Sequence, residues 1–415
     1  MIQYPKNIVI RNIGTLYGLS QEPYSFKRGE ALAVVHSADN QYLYIKDGKI
    51  AKYGDDDTCP IEDARIIDAE GGIVMPTYVD THTHIVFAAS RDEEFVMRIE
   101  GSSYEEIAKN GGGILNSAKK LRDTDQADLY TSAKARLDRM IKMGTGAVEI
   151  KSGYGLSTES EIKMLEVIKE LRLNTDVDIK ATFLGAHAIP TPYKADRQQY
   201  IGKIINEMLP HIAKHSLADY CDVFCDKGFY TVEETAQILT AAAEYGLKPK
   251  IHANELDVSG GVQVGIQHGA LSVDHLECTT PAEWKALSES TTIPTLLPGT
   301  SFFLKIPYGE ARQMIDYGLG LVLASDFNPG STPAGSMHFI QSLGCIYMQM
   351  LPSETFNATT YNAAAAIEVQ DTLGRIDIGL QANVQILKSV TNINQIPYYY
   401  GSNPTDVTIL KGKIQ

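Results

Sequence analysis

Ten histidines are spread along this 415-residue sequence, and five of them stand where chemistry can be done. His82 and His84 close the stretch Val79-Asp-Thr-His-Thr-His84. Residues two apart on a strand share a face, so both imidazoles can reach one ion. His187 ends ATFLGAH, His252 ends KIH, His275 ends SVDH and Asp326 ends LVLASD. Each of these groups follows its own apolar, strand-like run. Histidine nitrogens with a carboxylate oxygen suit a borderline ion such as Zn²⁺ or Fe²⁺. Such an ion brings the pKa of a bound water to about 7, which makes hydrolysis possible at neutral pH. One histidine at a strand end is ordinarily a hydrogen-bonded structural residue. His-x-His, three single histidines and an aspartate, each after a separate strand, form a joint pattern that chance seldom gives. Glu255, in His252-Ala-Asn-Glu255, adds a carboxylate that can move protons as a general acid/base. Its plainer alternative is the preference of acidic residues for helix N-termini.

These groups need a scaffold that brings strand ends together. From Ala147–Lys151 onward, strands alternate with helices. Thr158-x-x-Glu161 and Thr231-x-x-Glu234 read as capping boxes, and Thr280-Pro281-x-Glu283 starts a helix with proline at its first position. The expected strands are 147–151, 182–187, 250–253, 272–275, 293–297 and 321–325. This repetition favours a parallel sheet, and at this length a closed barrel, whose catalytic groups lie at the C-terminal strand ends. No GxGxxG follows a first strand, which disfavours a dinucleotide fold. Both chain ends read differently, as short strands: Ile8–Ile10, Ala31–Val35, Tyr42–Ile45, Lys49–Tyr53 after the Asp47-Gly48 turn, Asn383–Leu387, and Val407–Leu410 before Lys411-Gly412. The expected fold is therefore α/β: a (β/α)₈ TIM-like barrel over residues 71–370, with a small β-sandwich domain from residues 1–70 plus 371–415.

Composition narrows the partners. The net charge of −14 argues against nucleic acid or an anionic membrane and means that an anionic substrate needs local cations in its pocket. Five cysteines without a CxxC pair fit a reducing cytoplasm, and the four-residue spacing of Cys221 and Cys225 suggests one helix face or nothing at all. No signal-peptide pattern or membrane-length apolar run is expected. His36, His211, His215 and His338 lack strand-end context and receive no role.

The strand-end constellation resembles the amidohydrolase superfamily, in its single-metal subset, over nearly the whole chain. The segment Gly374-Arg-Ile-Asp-Ile-Gly379-Leu-Gln-Ala-Asn383 looks like that family's return into the small domain, with asparagine where the family more often has aspartate. The resemblance implies His82, His84, His252 and Asp326 as metal ligands, with His275 contacting the substrate or its oxyanion. Two-metal relatives use a carboxylated lysine, for which Lys151 is the candidate. Its neighbours Ser152-Gly-Tyr-Gly155 do not look like that pattern, so one ion, Zn²⁺ or Fe²⁺/Fe³⁺, is expected per subunit. Arg91, Gly111–Gly113, Glu149-Ile-Lys-Ser-Gly-Tyr154-Gly155, Phe183–His187 and Ser325-Asp-Phe-Asn328-Pro-Gly330-Ser331 resemble, within the superfamily, the branch that opens a cyclic amide in histidine degradation.

That branch implies hydrolysis of 4-imidazolone-5-propanoate to N-formimidoyl-L-glutamate, by a homodimer. Arg91 can fork onto the propionate, against the alternative of pairing with Asp92, Glu93 or Glu94. Tyr154 can donate to the same carboxylate, and His187 can contact the ring. Asn328, Gly330 and Ser331 either bind the amidine or carboxylate or simply form a tight turn. Gly111–Gly113 reads as a mobile loop near the mouth. Asp326 and Glu255 are expected to take the water's proton, and His275 to donate to the oxyanion. The competing functions are a zinc aminohydrolase acting on a small heterocycle, a two-metal cyclic amidase and a non-catalytic scaffold.

Overall fold

Strand-forming runs of two to ten residues, punctuated by capped helices, give sixteen strands in a computed structural model that describes residues 7–21, 23–60, 64–102, 106 and 112–415. In chain order they are β1 (Ile8–Tyr17), β2 (Ser37–Lys46), β3 (Lys49–Asp55), β4 (Arg65–Asp68), β5 (Ile73–Pro76), β6 (Tyr78–Thr83), β7 (Thr145–Lys151) and β8 (Asp178–Ala186). β9 (Tyr220–Cys225), β10 (Lys248–Ala253), β11 (Ser272–His275), β12 (Ile293–Leu296), β13 (Val322–Leu323), β14 (Val384–Leu387), β15 (Val407–Leu410) and β16 (Lys413–Ile414) complete the set.

Strands β6 to β13 lie in sequence order in one parallel sheet. Its first and last strands meet just beyond β13: Asp326 N–H donates to His82 O at 3.0 Å and His84 N–H to Phe327 O at 2.9 Å. Buried Asp80 reinforces this seam, accepting from Ser325 N–H at 3.0 Å and from its hydroxyl at 2.5 Å. The barrel thus closes at the end where the histidines lie. Ala324 N–H still donates to Leu296 O of β12 at 3.1 Å, but Ser325 is taken by the seam with Asp80, so the regular strand ends at Leu323 short of the expected Ser325. Between the strands, Thr231/Glu234 forms the expected capping box, and Thr280/Glu283 forms one as well at the helix that starts with Pro281.

The second sheet runs β16-β15-β14-β5-β1-β2-β3, with β4 beside β1, and draws on both ends of the chain. Its core includes Ile10, Leu16, Leu43, Val74, Val384 and Ile409. The expected strand at Ala31–Val35 is instead a short 3₁₀ turn, Gly29–Ala33. Asn357 Nδ2 donates to the carbonyls of Leu32 and Val34, at 2.8 and 3.0 Å, leaving no ladder for a strand to join. Cys221 and Cys225 lie in β9, not on a helix, and both are buried thiols. No helix among the described residues is long and apolar enough to cross a membrane.

Candidate active site

His82 and His84 sit at the end of β6, His252 in β10, His275 at the end of β11 and Asp326 just past β13, all nearly fully buried. Their orientations are fixed from behind. His82 Nδ1–H donates to Asp274 Oδ2 at 2.7 Å, and His252 Nδ1–H to Asp222 Oδ2 at 2.9 Å. His84 Nδ1 faces Ser152 O at 3.4 Å. Burial, with neighbouring positive charge, holds all three imidazoles far below the usual histidine pKa, hence neutral. With Nδ1 protonated, each Nε2 presents a lone pair.

Those lone pairs converge. The three histidines offer ligand atoms within 4.8 Å of one another. His82 Nε2 and His84 Nε2 are 3.3 Å apart, and Asp326 Oδ1 lies 3.6 and 3.5 Å from them. Tetrahedral ligands at zinc distances stand about 3.4 Å from one another. With Nδ1 carrying the proton in each ring, neither imidazole brings a proton to the His82–His84 contact, and His252 Nε2 is buried without any partner. A cation relieves that repulsion, so the donor set fits a metal ion. Asp326 is oriented by two hydroxyls, its Oδ2 accepting from Thr300 Oγ1 at 2.6 Å and from Ser331 Oγ at 3.2 Å. Its backbone φ of 52° and the 86° of His275 are left-handed values that non-glycine residues adopt at a cost.

Lys151 is fully buried and donates to Glu149 Oε1 at 2.5 Å and Asp222 Oδ2 at 2.8 Å, with Asp274 Oδ2 at 3.5 Å. Burial opposes its charge, but Asp222, Glu149 and Asp274 outweigh burial and raise its pKa above the ordinary value. Carboxylation requires a neutral amine, so this ammonium is unsuited to bridging two metals. Lys250 pairs with the other Glu149 oxygen. Sequence reasoning missed Glu149, Asp222, Asp274 and Lys250. The signal was present, because charged residues inside AVEIK, YCDVFC, KPKIH and SVDH must find partners if those strands are buried.

A cavity of about 570 Å³ opens over the cluster. Its lining includes His84, Arg91, Tyr154, His187, Glu255 and Asp326. Arg91 donates through Nε to Ser117 Oγ at 2.9 Å, while its Nη2 is buried without a partner. It pairs with no carboxylate among the described residues. Its guanidinium lies 5.7 Å from the Tyr154 ring centroid and against Gly330, where a Cβ would come within 2.5 Å of Nη1. His187 donates through Nδ1 to Gly153 O at 3.1 Å, and burial lowers its pKa to about 4, so it is neutral. Asn328 Oδ1 accepts from the amides of Gly330 and Ser331 at 2.7 and 2.8 Å, and its Nδ2 donates to Asp326 O at 2.7 Å. The turn after Asp326 is therefore tied by Asn328. Gly112 and Gly113 lead into the helix Ile114–Asp123, and Gly111 lies outside the described residues.

Glu255 Oε2 stands 3.7 Å from His275 Nδ1, and buried Glu277 Oε1 stands 3.5 Å from the same atom. Burial pushes the Glu255 carboxyl up to about 7. Burial also works against a charged His275, but Glu255, Glu277 and Asp326 outweigh it and raise its pKa to about 10. A carboxyl raised toward neutrality and a protonated imidazole thus stand beside the four converging acceptors.

Residues 73–415 match the model of the amidohydrolase family. An imidazolonepropionase from Flavobacterium johnsoniae is 50% identical over 98% of this chain and 99% of its own length. One from Christiangramia forsetii is 47% identical over 98% and 99%. Among solved structures, a triazine hydrolase from Arthrobacter aurescens superposes with a TM-score of 0.75 at 14% identity, covering 98% of this chain and 94% of the other.

Proposed function

The chain belongs to the amidohydrolase family and, within it, to the imidazolonepropionases, and from that membership we infer that it hydrolyses the ring C–N bond of 4-imidazolone-5-propanoate to N-formimidoyl-L-glutamate in histidine degradation. The observation that carries this reading is Arg91 Nη2, a buried unpartnered donor in the same cavity as the metal-fitting cluster. A substrate with a carboxylate tail and a hydrolysable ring satisfies both.

His82, His84, His252 and Asp326 would hold one Zn²⁺ or iron ion. When bound, that ion supplies Lewis acidity and an acidified water. Asp326 and Glu255 then take the attacking water's proton, and Glu255 returns one to the leaving ring nitrogen. Protonated His275 donates to the oxyanion formed from the ring carbonyl. Arg91 and Tyr154 grip the propionate, while His187 with Asn328, Gly330 and Ser331 shapes the wall beside the ring. A homodimer, a cytoplasmic location and a division into 1–70 plus 371–415 against 71–370 complete the proposal.

The deciding experiment incubates the metal-loaded protein with fresh 4-imidazolone-5-propanoate and follows imidazolone absorbance alongside free ammonia. Loss of absorbance without ammonia is expected, because formimidoylglutamate keeps every ring nitrogen. Ammonia release would place the chain with the aminohydrolases instead, and no loss above the spontaneous rate would remove this substrate. Arg91→Lys keeps the charge but loses the planar fork, so KM should rise about tenfold or more with kcat changed far less. An unchanged KM would take Arg91 out of the carboxylate site.

A further inference from the structure

Glu161 lies in the first turn of the helix Thr158–Asn174, where its spacing from Thr158 suggests a capping box. The structure uses it otherwise. Ser157 is the N-cap, accepting from Ser160 N–H at 3.3 Å. The Glu161 carboxylate, fully buried, turns back into the loop after β7. It accepts from Gly153 N–H at 2.9 Å, Gly155 N–H at 2.7 Å and Leu156 N–H at 2.9 Å. The loop is shaped to wrap it. A Cβ at Gly155 would come within 2.5 Å of Glu161 N, and Gly153 (φ 104°) and Leu156 (φ 52°) are left-handed.

Peptide geometry carries this clamp into the active site. In a trans peptide the C=O and the following N–H point in opposite directions. Gly153 N–H is turned to Glu161, so the Ser152 carbonyl of that same peptide is turned away, and it faces His84 Nδ1 at 3.4 Å. Gly155 N–H is held likewise, which fixes the peptide that follows Tyr154. Between the two clamped peptides, Gly153 O accepts from His187 Nδ1. The Tyr154 ring packs edge-on against His84 and His187, with centroids at 5.7 and 5.4 Å.

We propose that Glu161 is a positioning residue for the substrate site: by gathering the amides of Gly153, Gly155 and Leu156, it sets Tyr154 toward the substrate carboxylate and aims the carbonyls that orient His187 and His84. This deepens the reading of the cavity given above and rests on it for the choice of substrate. Gln at position 161 would turn an NH₂ group onto an amide N–H that now has an acceptor, so the loop should release.

In the metal-loaded full chain, Glu161→Gln should raise KM for 4-imidazolone-5-propanoate about tenfold, with kcat within about threefold. In a Tyr154→Phe background the same change should raise KM less than about threefold, because the contact it supports is already gone. Glu283→Gln is the control. That carboxylate also serves a helix start, accepting from Thr280 N–H at 2.9 Å, but lies outside the cavity lining, so KM should not move. If Glu161→Gln does not fold, Gly155→Ala displaces the loop from the carboxylate and carries the same expectation. An unchanged KM, or the full penalty persisting beside Tyr154→Phe, overturns the proposal. Isotope-labelled histidine NMR gives a readout independent of the substrate. The hydrogen-bonded His187 Nδ1–H signal should shift or broaden in Glu161→Gln and persist in Glu283→Gln, even if another substrate proves to be the natural one. A His187 signal unmoved in Glu161→Gln overturns the positioning role without touching the assignment of function.

Discussion

Asp326→Ala is expected to lower kcat/KM by about a thousandfold or more and to leave the purified protein with substoichiometric metal. The backbone of Asp326 serves the barrel seam and the turn that follows it, but its carboxylate is held in place at a cost. The residue is buried, sits at a left-handed φ of 52°, and desolvation pushes its carboxyl up against the help of His275, Thr300, Asn328 and Ser331. Thr300 and Ser331 occupy Oδ2 and leave Oδ1 to face the histidine nitrogens. Removing it deletes one of four converging donors and, on the proposed mechanism, a base for the water. Elemental analysis and turnover measured on the same sample separate these two losses. Full metal with lost turnover would leave Asp326 a proton acceptor only, and full turnover would remove it from the site altogether.

The six strand-end groups were legible because two simple periodicities agree on them, and it was the resemblance to the amidohydrolases that implied which four converge. Alternation along a strand puts His82 and His84 on one face, and barrel topology puts the ends of β6, β10, β11 and the residues after β13 at one mouth. What holds those donors was not legible as pairs. His82 reaches Asp274 and Lys151 reaches Asp222 across 192 and 71 residues of sequence, and no local spacing encodes that. The carboxylates were visible only as charges inside apolar strands. Glu161 shows a different failure: serine and threonine stand side by side at 157 and 158, and either can start the helix. Choosing Ser157 moves the glutamate out of capping register and frees it for the loop. Ala31–Val35 failed because strand propensity there had no neighbouring strand to act on, whereas Asn357 stood ready with two donors.

Glu255→Gln should behave unlike Asp326→Ala: kcat falls by about a hundred- to ten-thousandfold while metal content stays full and KM changes little. The new side chain is isosteric, and the backbone that carries it is fixed independently. Glu255 and Leu256 N–H groups both donate to Asp226 Oδ2, at 2.8 and 2.9 Å, so the loop should survive the change. What disappears is a carboxyl that burial raises to about 7, near the pH at which a group both accepts and returns a proton efficiently. As a base it must be ionised, so the wild-type rate should fall as pH drops through its pKa, and that acid limb should be missing from the residual activity of Glu255→Gln. Glu277 cannot substitute. Its carboxylate stands 3.5 Å from His275 Nδ1 and does not line the cavity, so it can hold His275 but not reach the substrate ring. A Glu255→Gln enzyme that keeps both its rate and its acid limb would transfer the proton-carrying role to Asp326 alone.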